Sequence, residues 1–383
     1  LRLVLLLSAL LLLGPAASVQ ARGGKAKKPR PPAFPSHVVL VILGGGVRTQ
    51  DLLDASLMPT VADMASSGHV VRKVASNASN GYTAAARLLT GSTRAVDGSA
   101  KSRPALPTLF EIVRAQRELS REKVWFVSFE GGDQLHLAHS DDAHHGAVFA
   151  PSIAHGQGAF AQPLASFLET LGRPVPLEPE TWAQLRRLRL LSRAARQAYL
   201  PTEVDAGLPK AERVERALLR ELDRKALLNR GPNPRDEQAT RAARTVLEVH
   251  RPTLTVIRYG EAGQAQASYA AYRAVLAAND RGLARLRKAV QDDPRRAGRT
   301  TFVVVTDRGR NEKPDAQGRL GADDASKQRG TVAVVIDGPG LARKPRLKGP
   351  RSIDDLAPTI AYLLGCRMPD ADGTPWLGLL RAR

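Results

Sequence analysis

The sequence of 383 residues contains a single cysteine, Cys366, and few aromatic side chains. One cysteine cannot form a disulfide within the chain, and it excludes the cysteine clusters that hold zinc or iron–sulfur groups. Aromatic residues make up only 4% of the chain, which argues against a protein that stacks nucleic-acid bases on aromatic rings. The last of the eight histidines is His250. Any site built from residues beyond that point therefore lacks imidazole ligands.

Acidic residues are outnumbered: 37 Asp and Glu stand against 57 Lys and Arg, a formal net charge of +20. A surface of this charge attracts anions. Hydrophobic residues make up 43% of the chain, which is close to the globular average, so the chain can bury a core. We therefore expect a folded protein that takes an anionic small molecule or an envelope component as its partner. No nucleic-acid-binding module is recognisable in the sequence.

The N-terminal segment predicts export. Arg2 precedes an uncharged apolar run over residues 3–13, which is shorter than the roughly 20 residues that span a bilayer. Residues 19–21 resemble a small-residue cleavage site. We predict a signal peptide over 1–21 and a basic Pro/Gly linker over 22–36. The protein would then be secreted or periplasmic, with envelope association and an uncleaved anchor as the alternatives.

Apolar, β-branched runs alternate with amphipathic segments along much of the remaining chain. This alternation predicts an α/β fold with a mainly parallel sheet covered on both faces. Asp280, inside the longest amphipathic segment, is expected to pair or cap within its own helix. The predicted strands are 37–43, 70–74, 124–129, 253–259, 301–306 and 331–336, and the predicted helices are 59–68, 83–89, 269–290 and 354–364.

Residues 178–250 have a different character. Leucine and arginine recur at helical spacing there, and Glu212 with Arg216 and Glu221 with Lys225 form opposite-sign pairs four residues apart, which support a helix. We predict a helical insertion over 178–250 that divides the core into 37–177 and 251–383. Its basic face could dock a protein partner.

Seven short segments follow one another along the chain in a recognisable order. They are VVLVILGGGVR (38–48), MPTVADMASSG (58–68), LLTG (88–91), YRAVLAANDRGLARL (272–286), VVVTDRGR (303–310), IDGPG (336–340) and DDLAPTIAYLLG (354–365). In this order they resemble the alkaline phosphatase superfamily, which includes sulfatases and nucleotide phosphodiesterases. The resemblance implies a three-layer α/β/α sandwich around a mainly parallel sheet. It also implies a Ser, Thr or modified Cys nucleophile, activated by two zinc or manganese ions or by one calcium ion.

Most of the metal ligands that this resemblance implies are missing from the sequence. The aspartate after the first strand is replaced by Gly44 or Gly45. The central aspartate and histidine fall in YGEAGQAQ, where only Glu261 is acidic and Gln264 or Gln266 takes the histidine position. A site with so few anionic or imidazole donors is a poor match for divalent zinc or manganese.

The later positions of the family pattern are also changed. Asp307 keeps the acidic position of the Ser-Asp-His-Gly turn, but Arg308 stands in place of its histidine. The last family histidine falls among residues 327–329, which are Lys, Gln and Arg. Asp307 is therefore the one matching metal ligand, and the same side chain could instead cap the turn that follows it.

The position of the nucleophile is not fixed by the sequence. Counting back from LLTG leads to Asn80 or Gly81, with the hydroxyls of Ser79 and Thr83 close by. Without a metal or a base, a hydroxyl stays protonated and weakly nucleophilic. Thr83 and Ser79 are thus candidates for a vestigial nucleophile region. Asn80 and Arg308 are candidates for an anion-binding pocket, since arginine forms charge-assisted hydrogen bonds.

A histidine-rich loop after the 124–129 strand offers a different metal site. His136 and His139 would share one helical face, and His145 follows a few residues later. Clusters of this kind can bind zinc or nickel. The alternative is a polar surface loop without a metal.

Three functions remain open at this point. The leading one is an exported protein that has lost most metal ligands, needs no cofactor, and serves as a non-catalytic binding or scaffold protein. The second is an active phosphoric or sulfuric ester hydrolase whose rewired site uses a divalent metal such as zinc, manganese or calcium. The third is a basic protein that binds the envelope or a polyanion.

Overall fold

The computed structural model describes residues 34–96, 102–130, 132–155, 235–265, 268–321 and 330–382. The predicted signal peptide, most of the linker, residues 178–234 of the predicted insertion and residues 327–329 lie outside the described residues, as do the side chains of Gln264 and Gln266. None of the helices in the described ranges is both long and apolar enough to cross a bilayer.

Eight strands of the described chain form one sheet in the order β4-β3-β5-β1-β6-β7-β2-β8. Only β7 runs antiparallel to its neighbours, and the other pairings are parallel. The predicted mainly parallel α/β sheet is thereby confirmed. The strands are β1 His37–Leu43, β2 His69–Ala75, β3 Val124–Ser128, β4 Ser152–His155, β5 Leu254–Tyr259, β6 Thr300–Thr306, β7 Thr331–Asp337 and β8 Arg351–Ser352.

Helices cover both faces of the sheet, so the molecule has three layers. One face carries α2, α5 and α7, and the opposite face carries α3, α4 and α8. The α-helices of the described residues are α1 Thr49–Leu52, α2 Pro59–Ser67, α3 Gly81–Thr90, α4 Leu109–Gln116, α5 Arg235–His250, α6 Glu261–Gln264, α7 Tyr269–Gln291 and α8 Leu356–Leu363.

The central strand β1 shows why the sequence adopts this arrangement. Val39, Val41 and Leu43 point into the core beneath α5 and α7. The intervening residues of β1 point into the core beneath α3 and α8. A strand covered on both faces needs apolar side chains at every position rather than at alternate ones, and β1 provides them.

Helix α5 corrects the boundary predicted for the insertion. Its 16 residues, Arg235–His250, fall in the segment assigned to the insertion, yet Ala239, Ala243 and Leu247 are buried in the core. Helix α7 approaches it closely at Gly282, where a Cβ atom would lie 2.7 Å from the Thr240 hydroxyl oxygen. The second part of the core therefore begins by residue 235. The buried face of this helix consists largely of alanines. Alanine gives little hydrophobic signal, so the sequence did not distinguish this helix from the leucine- and arginine-rich segment before it.

Asp280 caps a neighbouring helix and not its own, contrary to the prediction. Its carboxylate accepts hydrogen bonds from the backbone N–H groups of Thr60 and Val61, both at 3.1 Å. These groups belong to the first turn of α2, where Met58 supplies no side-chain cap. A carboxylate is stabilised at a helix N-terminus by the helix dipole, so the side chain is buried between the two helices.

Candidate functional site

Strands β3, β5, β1 and β6 are parallel and end at one edge of the sheet. The register places Ser128 beside Arg258, and Leu43 beside Thr306. Asp307 follows directly after β6. Ligands in open α/β sheets bind outside the carboxyl ends of the strands. This edge, which also holds the segments that resemble the family's metal turns, is the candidate site.

A buried cation lies at the centre of this edge. The Arg258 side chain is only 3% exposed, forms an ion pair with Glu130, and has Nη2 at 3.5 Å from Oδ2 of Asp307. Nη2 also donates a hydrogen bond to the Gly81 carbonyl oxygen at 3.4 Å. Burial lowers the pKa of Arg258, an effect that the Asp307 charge opposes. Arginine is not deprotonated in proteins, so the guanidinium stays charged.

Asp307 is fully buried, and its carboxylate is already occupied. Oδ1 accepts the N–H of Gly46 and Oδ2 accepts the N–H of Gly45, each at 3.0 Å. Its backbone carbonyl oxygen accepts a hydrogen bond from the Ser76 hydroxyl at 2.6 Å. The side chain thus binds the glycine turn after β1, whereas the two roles considered from the sequence were a metal ligand and a cap of the turn after its own strand.

The glycine turn after β1 leaves no room for a metal-binding carboxylate. A Cβ atom on Gly44 would lie 2.6 Å from the Tyr259 carbonyl oxygen and 3.1 Å from Nη2 of Arg258. Gly45 has a φ of +84°, and a Cβ atom there would collide with the backbone of Gly263. The Arg258 guanidinium therefore lies in the space that an aspartate at position 44 would need.

A second buried arginine fixes the same turn from its carbonyl side. Arg310 donates hydrogen bonds to the carbonyl oxygens of Gly46 at 2.7 Å and Gly45 at 2.9 Å. Its guanidinium lies 4.7 Å from the centre of the Tyr272 ring, a cation–π contact. Burial lowers the pKa of Arg310. With its amides bound by Asp307 and its carbonyls by Arg310, the turn is held rigidly.

Helix α3 begins opposite Asp307 with a residue that has no side chain. A Cβ atom on Gly81 would lie 2.8 Å from Oδ2 of Asp307 and 3.5 Å from Nη2 of Arg258. Of the two predicted hydroxyls, Ser79 is exposed, whereas the Thr83 hydroxyl is buried with no hydrogen-bond partner in the described part of the chain. Asn80 caps the helix, since its Oδ1 accepts the Thr83 N–H at 2.9 Å.

Arg308 is a second cation of this edge, and like Arg258 it has a buried donor without a hydrogen-bond partner in the described part of the chain. Its side chain is half-buried, and its charge lowers the pKa of both Arg258 and Arg310. Its Nε is buried without a hydrogen-bond partner among the described residues. Arg308 and Asn80 therefore both belong to this edge, but the Asn80 oxygen already serves the helix.

The histidine-rich loop does not assemble a ligand set. His139 contacts Arg103, and Nδ1 of His145 lies 2.9 Å from Asp142. Across the described ranges, no three or more His, Cys, Asp or Glu side chains are grouped so that they could hold a metal ion. His136, His139 and His145 are thus not brought together.

The donor set at the candidate site does not fit the divalent metals that the resemblance implies. Both Asp307 oxygens accept backbone hydrogen bonds, and the two carboxylates, Asp307 and Glu130, face the Arg258 guanidinium. A metal pair requires several anionic or imidazole donors around each ion. In this structure the two carboxylates pair with the Arg258 guanidinium.

Arg258 and Glu130 were missed by reasoning from the sequence. The available signal was an arginine inside the apolar run 254–259, since a charge in a strand covered on both faces needs a buried partner. That partner lies far away in the sequence, and only the register of β3 against β5 brings Glu130 near. The pattern alone did not contain that register.

No protein-family model and no curated protein matches the sequence. Among solved structures, the wild-type alkaline phosphatase PafA is 10% identical, with a TM-score of 0.53 over 91% of this chain and 99% of its own. The lipoteichoic acid synthase LtaP from Listeria monocytogenes is 12% identical, with a TM-score of 0.53 over 92% and 79%. The 2-O GAG sulfatase BT1596 is 13% identical, with a TM-score of 0.52 over 89% and 73%.

Identities this low establish a shared architecture and leave activity open. The seven segments identified in the sequence had implied that architecture, and the layered sheet agrees with it. This chain therefore has the alkaline-phosphatase-like fold, which it shares with alkaline phosphatases and sulfatases.

Proposed function

We propose that this is an exported, non-catalytic protein with an alkaline-phosphatase-like fold, which acts as a binding or scaffold protein. The observation that carries the proposal is Arg258, buried between Glu130 and Asp307 at the carboxyl edge of the sheet. A metal ion in such a site polarises an ester oxygen and activates a nucleophile by direct coordination. A guanidinium fixed by two carboxylates offers no open coordination position for either task.

The start of α3 supports the same conclusion. Gly81, which faces Asp307, has no side chain that could attack an ester. The Thr83 hydroxyl has no hydrogen-bond partner in the described structure, so none of the described residues is placed to act on it as a base. A hydroxyl without a base or a metal is a weak nucleophile at neutral pH. Thr83 and Ser79 therefore mark a vestigial region rather than a working one.

The ligand class that this edge favours is a small oxyanion. The half-buried Arg308 side chain brings a positive charge to this edge, its Nε has no hydrogen-bond partner among the described residues, and the start of α3 carries the partial positive charge of a helix N-terminus. The nearby carboxylates are both directed at Arg258, which limits their repulsion of an anion. We assign Arg308 as the binding cation, with Asn80 orienting the helix start.

The metal content of the dialysed protein, measured by elemental mass spectrometry, tests the absence of catalysis. We expect no stoichiometric metal and no hydrolysis of aryl phosphates or aryl sulfates above background. Stoichiometric zinc, manganese or calcium that is lost in Asp307→Asn, together with hydrolysis, would overturn the proposal. Metal and activity lost only in a His136→Ala/His139→Ala variant would establish the rewired hydrolase.

Thermal unfolding in sulfate or phosphate tests the anion pocket. At a ligand concentration of roughly 100 times Kd, one site stabilises the fold by about 2.7 kcal/mol. We expect this stabilisation in the wild type and its loss in Arg308→Met. Arg295→Met, a change at an exposed arginine away from this edge, serves as the control. If sulfate or phosphate stabilises Arg308→Met and Arg295→Met equally, Arg308 does not bind the anion.

A further inference from the structure

The loop that follows β7 is a second positively charged feature, separate from the candidate site. We call residues 341–350 the basic loop. The chain has no acidic residue between Asp337 and Asp354. Four cations of the loop are exposed, and their side chains make no ion pair or hydrogen bond with the described residues. They are Arg343, Lys344, Arg346 and Lys348.

The basic loop is held in place by its backbone. The N–H of Ala342 donates to the Leu379 carbonyl at 2.9 Å, and the N–H of Arg346 donates to the Gly378 carbonyl at 2.8 Å. Nε2 of His69, at the start of β2, donates to the Ala342 carbonyl at 2.6 Å. The four cations therefore project from a fixed frame.

An apolar side chain lies beside these cations. Leu377 is 55% exposed, and only Val148 joins it as an exposed large hydrophobic residue in the described chain. It immediately precedes Gly378, whose carbonyl binds the N–H of Arg346. Cations around an exposed leucine are typical of surfaces that lie at a lipid–water interface. Nucleic acid, by contrast, offers a leucine no apolar layer.

The chain enters the fold at the same place. The Phe34 ring packs against Tyr362 at 6.4 Å between centroids, and a Cβ atom on Gly340 would lie 3.1 Å from Pro35. Gly340 directly precedes the basic loop. Residues 22–33 precede Phe34 in the sequence and contain five cations and no acid.

We propose that the basic loop and Leu377 form a surface that binds anionic phospholipid bilayers, with the four cations on the lipid headgroups and Leu377 in the interface. Each Lys or Arg near an anionic bilayer contributes about 1 kcal/mol, or roughly fivefold in affinity. The candidate site at the strand ends takes no part. The proposal is therefore independent of whether the protein hydrolyses esters.

Vesicle co-sedimentation tests this surface directly. The probe is vesicles of phosphatidylcholine alone, or of phosphatidylcholine and phosphatidylglycerol in equal parts. We expect binding only to the latter, weakened on the order of 600-fold in the variant with Arg343, Lys344, Arg346 and Lys348 all changed to Gln, at roughly fivefold for each cation. The full chain and the chain from Arg22 onward are both measured, so that the apolar N-terminal run cannot decide the result.

The matched control removes four exposed cations elsewhere, with Arg117, Arg281, Arg295 and Arg299 changed to Gln. Both variants lose the same charge, so a response to net charge alone would weaken them equally, and that result would overturn the proposal. Stronger binding to duplex DNA than to anionic vesicles, lost through the same four cations, would also overturn it.

A tryptophan reporter separates interfacial contact from charge attraction alone. Leu377→Trp places an indole at the proposed contact, and Val148→Trp places one at the other exposed hydrophobic position, which is 77% exposed. With anionic vesicles we expect a blue-shifted emission and quenching by brominated lipid for Leu377→Trp only. No difference between the two reporters would contradict insertion of Leu377.

Discussion

At the scale of single residues, Arg258 is the side chain on which the candidate site depends. Its charge is removed from water, and that cost is several kcal/mol unless carboxylates and hydrogen bonds compensate it. Glu130 and Asp307 supply the carboxylates, and two backbone N–H groups stabilise Asp307 in turn. Arg258, Glu130 and Asp307 stabilise one another, so removal of the Arg258 charge leaves two carboxylates without a nearby positive charge to balance them.

Arg258→Met should therefore lower the free energy of unfolding by about 3–5 kcal/mol, the usual cost of breaking a buried ion pair. Urea denaturation measures this, with Arg295→Met as an exposed control that we expect to change stability by less than about 0.5 kcal/mol. Adding Glu130→Gln to Arg258→Met should restore part of the loss. If Arg258→Met and Arg295→Met have the same free energy of unfolding, Arg258 is not the stabilising cation.

At the scale of elements, the strands were readable from the sequence because burial on both faces demands continuous apolar runs. Strand β1 was predicted over 37–43 and occupies His37–Leu43. Helix α5 was assigned to an insertion because its buried face is mainly alanine, which carries little hydrophobic signal. The cap that Asp280 provides for α2 could not be predicted from the sequence, because it depends on how α7 packs against α2, a helix about 220 residues away in the chain.

The cap between α7 and α2 yields a testable consequence. Asp280→Ala leaves two N–H groups at the start of α2 without an acceptor, so we expect a loss of about 1–2 kcal/mol in the free energy of unfolding. Asp63→Ala on α2 is the control, since the Asp63 side chain is 66% exposed and an exposed ion pair contributes about 0–1 kcal/mol. If both variants lose the same stability, the cap contributes nothing specific.

Helix α5 brings a pH-sensitive carboxylate to the end of β5. Asp236 accepts the N–H of Gly260 at 2.8 Å and that of Glu261 at 3.2 Å, and it also accepts Nδ2 of Asn279 at 3.1 Å. Burial, together with the Glu261 charge, raises the pKa of Asp236 from 3.8 to about 6. These hydrogen bonds favour the ionised form, but burial outweighs them.

A raised carboxyl pKa means that the folded state holds its proton more tightly than the unfolded state. The stabilisation from Asp236 is full below pH 3.8 and is lost as the pH rises through about 6. The difference corresponds to about 3 kcal/mol. Urea denaturation from pH 4 to 7 should show this decline in the wild type relative to Asp236→Asn.

The comparison with Asp236→Asn is needed because other groups titrate nearby. Burial lowers the pKa of His37 and His155 below 6.5, so these side chains lower stability as the pH falls below that value. Their effect is common to both proteins and cancels in the difference. A constant difference in stability across the range would show that Asp236 has an ordinary pKa in the fold.

At the scale of the whole molecule, the charge is distributed unevenly. Some arginines are buried inside the fold, as Arg258 and Arg310 are at the candidate site. Carboxylates, backbone carbonyls and an aromatic ring offset their charges there. The cations of the basic loop have no such compensation. The composition shows that the protein is basic, but only the fold shows which arginines are buried and paired and which are exposed.

Adjacent uncompensated cations repel one another, so the basic loop should reduce stability at low ionic strength. The variant with Arg343, Lys344, Arg346 and Lys348 changed to Gln should then unfold at a higher temperature than the wild type in low salt. We expect a gain of about 0.5–1 kcal/mol, since a like-charge pair costs a few tenths of a kcal/mol. At about 1 M salt, where the Debye length is near 3 Å, the gain should disappear.

The control variant at Arg117, Arg281, Arg295 and Arg299 should gain less, because these positions are spread along the sequence rather than grouped within six residues of one loop. Equal gains in the two variants would mean that net charge alone sets the stability. A gain confined to the basic loop would show that its cations oppose folding. Such a cost is the expected property of a surface shaped for an anionic partner rather than for the stability of the chain itself.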